Sequence, residues 1–346
     1  MDATILAFLL QDGVTSGAIY ALIALALVLV FAVTRILFIP QGEFVAFGAL
    51  TYAVLETGRL PGTTWLLLGF GIAAFAVELW SGRRTLSTRR LARAAAFDLL
   101  LPVAIVAIVA AAAPTRLGPF ACALLTVAIV TPLGPYLYRV GFQPIAEAPI
   151  LVLFIAAVAI HFALTGLSLL FFGPEGLRAS PLSSETFDVG PLVVSGQNLW
   201  VYGFTLLVVV ALFAFFTLTL WGKALMATAV NRLGARLVGI PTELSGQTSF
   251  GLAAATGAIS GVLIAPMTTV YYDTGFLIGL KGFVAAILAG LASFPGAAVA
   301  AFGVGVIEAF ASFFASEYKE IIVFMMILPV LFWRSLVAGH AAADEE

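Results

Sequence analysis

Apolar runs of bilayer length follow one another along almost the whole 346-residue chain, and a membrane bundle is the fold that accommodates them all. Candidate spans lie at 14–34, 37–57, 65–81, 97–113, 119–138, 148–172, 200–221, 247–270, 277–292, 296–315 and 320–337. Hydrophobic residues make up 62% of the sequence and charged residues 10%, against roughly a quarter charged in soluble domains. A soluble core of this size cannot absorb that surplus, so lipid must act as solvent for much of the surface. The expected fold is all-α, a polytopic transmembrane helical bundle of about 8–11 spans, some of them broken or re-entrant. Residues 1–346 read as one membrane domain, because no loop has room for a soluble one.

Two spans are interrupted. Pro40-Gln41-Gly42-Glu43 falls near the start of 37–57, and 277–292 carries Lys281 and runs into Phe294-Pro295-Gly296. Each reads as a half-helix or a re-entrant segment. Basic residues mark cytoplasmic loops. Segment 81–93 holds Arg83, Arg84, Arg89, Arg90 and Arg93 without an acid, and 222–246 holds Lys223, Arg232 and Arg236 against Glu243. Segment 173–199 holds Arg178 against Glu175, Glu185 and Asp188, and reads as external. Alternating eleven spans reproduces these assignments, with the N-terminus outside and the tail inside. The N-terminus lacks the basic start of a cleavable signal, its first basic residue being Arg35.

Several functions are disfavoured. A formal net charge of −2 is not that of a nucleic-acid binder. The single cysteine, Cys122, supports neither an intrachain disulfide nor a metal cluster. Of two histidines, His161 sits in an apolar run and reads as helix packing, while His340 lies in a polar tail. Lys223, Lys281 and Lys319 lack the glycines and following hydroxyl of a phosphate cradle, and no HExxH or GxSxG occurs. No metal site and no catalysis are expected, which leaves transport as the default role.

Ionisable residues at membrane depth are costly and persist for function or pairing. Here they are Glu43, Glu78, Lys281 and Glu308. Glu43 stands beside a helix break, where transporters build sites from unwound backbone; the alternative is an interfacial carboxylate reaching water. Glu78 lies a turn or two from Arg83 and Arg84. Lys281 and Glu308 are placed to neutralise each other across two spans. Gly13/Gly17 and Gly257/Gly261 have GxxxG spacing, which reads as close helix packing.

Segment 221–243 is the most informative. Ala224, Ala227, Ala229 and Ala235 supply short side chains, and Leu225, Met226, Leu233, Leu237 and Val238 supply apolar faces. Gly239 suits a helix C-cap and Pro241 a stop. A short amphipathic helix beneath the membrane is predicted, resting on lipid or docked in a partner's groove.

At this segment the chain resembles the branched-chain amino acid ABC transporter permeases, the LivH/LivM family. The family's cytoplasmic Gly-[Arg/Lys]-Ala…Ala…Ala…Leu-[Leu/Val]-Gly-Ile is matched by Gly222, Lys223, Ala224, Ala229, Ala235, Leu237, Val238, Gly239 and Ile240. The family's mid-segment acidic or amide pair corresponds to Val230 and Asn231. Asp12 to Ala24 resembles its first span, and Phe38-Ile39-Pro40-Gln41-Gly42-Glu43 its Asn-Phe-Ala-[His/Gln]-Gly-Glu. Gly279-Leu280-Lys281-Gly282-Phe283 and the run from Ala289 to Ala297 are similar to its C-terminal motifs, with Glu308-Ala309 and Glu317-Tyr318-Lys319 beyond. Residues 82–118 look inserted, and their basic loop reads as a surface for anionic lipid.

The resemblance implies an importer of the bacterial inner membrane. Two permeases, more readily a heterodimer than a homodimer, form the pathway; cytoplasmic ABC ATPase subunits hydrolyse ATP, and an extracytoplasmic substrate-binding protein delivers solute. It implies no cofactor on this chain. It implies ATPase coupling through Gly222, Lys223, Ala224, Ala229, Arg232, Ala235, Leu237, Gly239 and Ile240 within 222–242. A translocation pathway including Tyr20, Gln41, Gly42, Glu43, Lys281 and Glu308 follows, for branched-chain amino acids or related small polar solutes. The rival is an ion-gradient-driven secondary transporter or channel with Glu43 or Glu308 as ion site. A membrane scaffold is a third reading, which the broken spans disfavour.

Overall fold

The computed structural model describes residues 3–82, 88–115, 117–190 and 192–332. Arg83, Arg84, His340 and positions 333–337 of the last expected span lie outside the described residues. In chain order the helices are α1 (Ala3–Thr34), α2 (Gln41–Glu56), α3 (Thr63–Gly82) and α4 (Thr88–Ala95). A π turn, Ala96–Leu100, joins α4 to α5 (Leu101–Ala112), followed by α6 (Pro119–Val130), α7 (Leu133–Leu137) and α8 (Ile150–Phe172). A hairpin of β1 (Thr186–Val189) and β2 (Leu192–Ser195) precedes α9 (Gly196–Leu218), α10 (Leu220–Val230) and α11 (Arg232–Leu237). The chain continues through α12 (Thr242–Ile264), α13 (Thr274–Leu288), α14 (Phe294–Phe314) and α15 (Lys319–Met325).

Helix α1 is the axis of the bundle. Its 32 residues reach about 48 Å at 1.5 Å each, more than the hydrocarbon core of about 30 Å. From Ala18 to Val30 every residue is buried. Glycine brings the neighbours close. A Cβ on Gly13 would stand 2.6 Å from the Cα of Val306 on α14, and one on Gly261 of α12 would stand 2.2 Å from the carbonyl oxygen of Val45 on α2. Both GxxxG pairs are therefore seams where backbones touch, which suits association without a hydrophobic driving force. The outer helices turn apolar faces outward: Leu124 on α6 is 72% exposed, Leu170 on α8 75% and Phe213 on α9 69%. Lipid or a partner subunit must cover these faces.

Eight helical stretches are long and apolar enough to cross a bilayer among the described residues, within the expected 8–11. The differences from the candidate spans arise at the two interruptions and at the ends. Helices α2 and α13 have 16 and 15 residues, about 24 and 22 Å at 1.5 Å per residue, too short to cross alone. Span 200–221 ends at Leu218, and α10 is a separate helix. Segment 173–199, expected outside, closes over one end of the bundle: Leu177 pairs with Val270, and Gln197 bridges the Leu182 amide and the Leu263 carbonyl.

The stretch from α4 to α5 is fastened to the bundle by charge. Asp98, buried in the π turn, accepts from the Arg139 guanidinium just beyond α7, and Glu78 of α3 lies 3.4 Å from the same guanidinium. Arg139 is thus a partner of Glu78 that the nearby Arg83 and Arg84 did not suggest.

Candidate functional site

The site begins where α1 stops. Arg35 takes φ +61°, and its amide donates to the Phe31 carbonyl at 2.8 Å, closing the helix. The chain then runs without helix through residues 36–40 while remaining inside the protein. Such backbone survives at membrane depth only where protein covers it. Phe38 supplies the cover: it is 1% exposed, with the rings of Phe44, Phe142 and Phe250 centred 5.6, 6.0 and 4.7 Å away.

Gln41 opens α2, and its side-chain amide donates to the Ala253 carbonyl at 2.9 Å. Ala253 lies at the middle of α12, so α2 starts at mid-depth. It ends outside, where Glu56 accepts from the Ser180 amide at 2.8 Å. Helix α13 does the reverse. The chain leaves the outer end of α12, is held there by Arg178 donating to the Pro266 carbonyl, and resumes as helix at Thr274. A Cβ on Gly42 would lie 1.9 Å from the Gly275 carbonyl oxygen, and one on Gly279 would lie 2.9 Å from the Gly42 Cα. The N-terminal turns of two half-helices therefore overlap head to head, one running outward and the other inward. Both interruptions are half-helices.

Glu43 follows directly and is fully buried. It reaches no interface, so the interfacial alternative is excluded by its depth. Its Oε1 lies 2.9 Å from Nδ1 of His161, halfway along α8, as an ion-pair contact, and neither carboxylate oxygen makes a hydrogen bond among the described residues. The imidazole stacks on Phe276 of α13 at 4.7 Å. His161 is therefore more than helix packing: it is the partner of a buried acid.

Lys281 and Glu308 form a second cluster. Lys281 donates to Glu308 at 2.5 Å and to Glu320 at 3.1 Å, and the Tyr20 hydroxyl donates to Glu308 at 2.6 Å. A lysine held by two carboxylates joins α13, α14 and α15, with Tyr20 adding α1. Gln41, Gly42 and Glu43 lie at the half-helix junction, so the six candidate pathway residues divide between two places.

Segment 221–243 is two helices rather than the single short helix expected. Asn231 adopts φ −148°, ψ 99° and caps α11, its Oδ1 accepting from the Gly234 amide at 2.8 Å. Asn231→Ala is expected to cost about 1 kcal/mol of local stability, read as faster exchange of the Gly234 amide; unchanged exchange would remove the cap from the account. Gly239, at φ +82°, ends α11, with its amide on the Arg236 carbonyl and the Ile240 amide on the Ala235 carbonyl. This double turn suits glycine because its left-handed backbone has no Cβ to strain.

Gly222, Leu225, Thr228 and Ala235 are buried and anchor the pair of helices. A Cβ on Gly222 would stand 2.1 Å from the Phe215 carbonyl oxygen. Arg232 donates to the Ala146 carbonyl and Arg236 to Glu147, so both arginines tie the segment to the 143–147 loop. The Arg236 guanidinium holds the exposed Glu147 carboxyl below its ordinary range. Lys223 is exposed, Ala224, Ala229 and Ile240 are half-buried, and Leu237 is 81% exposed.

Residues 9–331 match the family model described as branched-chain amino acid transport system, permease component. The chain belongs to this family. Among curated relatives, this permease is 26% identical over 346 residues to the high-affinity branched-chain amino acid transport system permease protein LivH of Salmonella typhimurium, covering 96% of this chain and 95% of the relative. LivH of Escherichia coli K12 is also 26% identical, with the same coverage. BraD of Pseudomonas aeruginosa is 28% identical over 63% of this chain and 72% of its own length. A solved structure, PsaBC from Streptococcus pneumoniae in complex with Fab, covers 93% of this chain and 90% of that chain at 12% identity and a TM-score of 0.38.

Several residues of the permease site carried no sequence signal strong enough to single them out. Asp273 and Thr165 lie beside His161, and Glu320 completes the lysine cluster. An ionisable side chain inside a span is itself a pointer to a partner, and that test marks Glu43, whereas His161 reads from sequence as packing. Their pairing is not visible there, because α2 and α8 are far apart in sequence.

Proposed function

We propose that this permease forms, with a second membrane subunit, the translocation pathway of an ATP-driven importer of branched-chain amino acids in the bacterial inner membrane. In this reading cytoplasmic ABC ATPases drive it, and an extracytoplasmic binding protein supplies the solute. The observation that carries the reading is the surface of α10 and α11. Val230, Leu233, Leu237 and Val238 are 82, 68, 81 and 76% exposed on a basic, cytoplasmic segment. The other face of the same segment is anchored by Gly222 and Leu225 against the end of α9 and against α1. An apolar face on a firmly held element suits a partner's groove, and a rigid attachment can pass a displacement on to the spans.

The test is to solubilise the protein gently from its native membrane and identify what accompanies it. A P-loop ATPase is expected to co-purify with the wild type and to be lost from Leu237→Glu, with ATP-dependent leucine uptake lost in parallel. Leu237 is exposed, so the substitution leaves folding intact and the loss reads docking alone. Uptake that survives without an ATPase, and that fails in Glu308→Gln, would replace this reading with an ion-gradient-driven transporter.

A further inference from the structure

A cleft of about 640 Å³ opens at mid-depth between α8 and segment 271–277, beside the half-helix junction. His161, Thr165 and Asp273 line it together with Phe162, Phe276 and Leu277. Its chemistry follows from how burial constrains the Glu43–His161 pair.

Glu43 is fully buried and His161 is 7% exposed. A net charge on this pair at membrane depth is costly, so the pair is neutral overall. Two arrangements of its protons are neutral: carboxylate with imidazolium, or carboxylic acid with neutral imidazole. In the first, both ring nitrogens carry hydrogen. In the second, either the acid donates to Nδ1 and the ring hydrogen sits on Nε2, or Nδ1–H donates to the acid's carbonyl oxygen and Nε2 is an acceptor. A carboxylate arriving at Nε2 selects the arrangements in which that nitrogen carries hydrogen, while Nδ1 stays 2.9 Å from Glu43.

Asp273 lines the same cleft. It is exposed, and its carboxylate makes no hydrogen bond or ion pair among the described residues. The cleft thus offers an imidazole nitrogen, the hydroxyls of Thr165, Tyr271 and Tyr272, one free carboxylate and a wall of phenyl and leucyl side chains. The complement is a small zwitterion with an apolar side chain.

We propose that this cleft is the membrane-level amino-acid site, with Asp273 receiving the α-ammonium, His161 Nε2 donating to the α-carboxylate, and Phe162, Phe276 and Leu277 taking the aliphatic side chain. Glu43 is a positioning residue that acts through His161. The ammonium neutralises Asp273, so the loaded cleft carries no net charge. The assignment rests on the importer reading and adds to it the place in the bilayer where the solute pauses.

The test uses the assembled transporter carrying Leu277→Cys, with the buried Cys122 replaced by alanine, and a membrane-permeant methanethiosulfonate as probe. L-Leucine is expected to slow labelling of the new thiol at least about tenfold, while 4-methylpentanoate, which lacks the ammonium, leaves it unchanged. Asp273→Asn is expected to raise the half-protecting leucine concentration at least about tenfold, the scale of losing one partner of a charge pair. Because Asp273 is exposed and unpaired, that variant should retain the wild-type melting temperature. Glu43→Gln with His161→Asn is expected to be no worse than His161→Asn alone, since coupled residues are not additive. A merely structural glutamate would add its own loss. Labelling unaffected by leucine, in a transporter that still takes leucine up, overturns the site and leaves the importer standing. Absence of both protection and ATP-driven uptake removes both.

Discussion

Gly42→Ala is expected to eliminate folded protein rather than to slow transport. The added methyl would stand 1.9 Å from the Gly275 carbonyl oxygen and 2.7 Å from its carbon. Overpacking usually costs about 1–3 kcal/mol, because side chains around the extra carbon adjust their rotamers. Here the obstacle is backbone of an opposing helix start, so relief requires α2 and α13 to separate. Separation exposes Gln41, Glu43 and the uncovered first turns of both helices to lipid, and each unsatisfied polar group there costs several kcal/mol. Against a total stability of about 5–15 kcal/mol, little folded material should remain. The measurement is the yield of monodisperse protein and its melting temperature in mild detergent. Gly166→Ala on α8, with no atom within 4 Å of the new carbon, is the matched control and should behave as wild type. A Gly42→Ala protein melting at the wild-type temperature would show that the half-helices do not meet.

Lys281→Met should be the most damaging single charge removal. Lys281 is 6% exposed and is the cation shared by Glu308 and Glu320. Breaking a buried pair by deleting one partner typically costs about 3–5 kcal/mol, because the remaining charge is left uncompensated. The double variant Lys281→Met, Glu308→Met should recover much of that loss, since isosteric apolar replacement of a whole pair is often neutral. It would still leave the Tyr20 hydroxyl without an acceptor, at about 1 kcal/mol, and the part-exposed Glu320 carboxylate without its cation. Melting temperatures of the single and double variants decide the matter. If Lys281→Met melts as wild type while uptake collapses, the lysine is a transport group and not a structural one. The distinction bears on Glu308, which the ion-gradient alternative needs unpaired.

Much of the architecture could be read in advance because lipid imposes a simple rule on sequence. Runs such as 148–172 or 247–270 have no soluble use. Pro40 and Gly42 marked the interruption at 37–57, since proline removes a donor and glycine permits close approach. The depth of that interruption was hidden. It depends on Phe38 finding Phe142 and Phe250 and on Gln41 finding Ala253, contacts between segments far apart in the chain. The same reason conceals Arg139 as the partner of Asp98, and His161 as the partner of Glu43: an ionisable residue announces that it needs company but not where the company is. At 222–240 the apolar faces were visible, yet the periodicity ran on through Asn231. Asn231, of a type favoured at helix caps, falls inside that run, and its side chain starts a second helix.

The short lengths of α2 and α13 also bear on how the molecule is built. A segment of 16 or 15 residues with an acid or a lysine inside it falls below the roughly 20 apolar residues that the insertion machinery releases readily into lipid. Neither has a stable place in the bilayer until its neighbours are there to cover it. Helix α2 leaves the ribosome long before α12 and α13 are synthesised, so it should wait near the membrane surface until the chain is almost complete. A nascent chain truncated at 240 should therefore leave position 47 open to an aqueous thiol reagent, and one released at 332 should close it. On this view α1 and α14 are decided by the translocon, whereas the half-helix junction is decided last and by the protein itself.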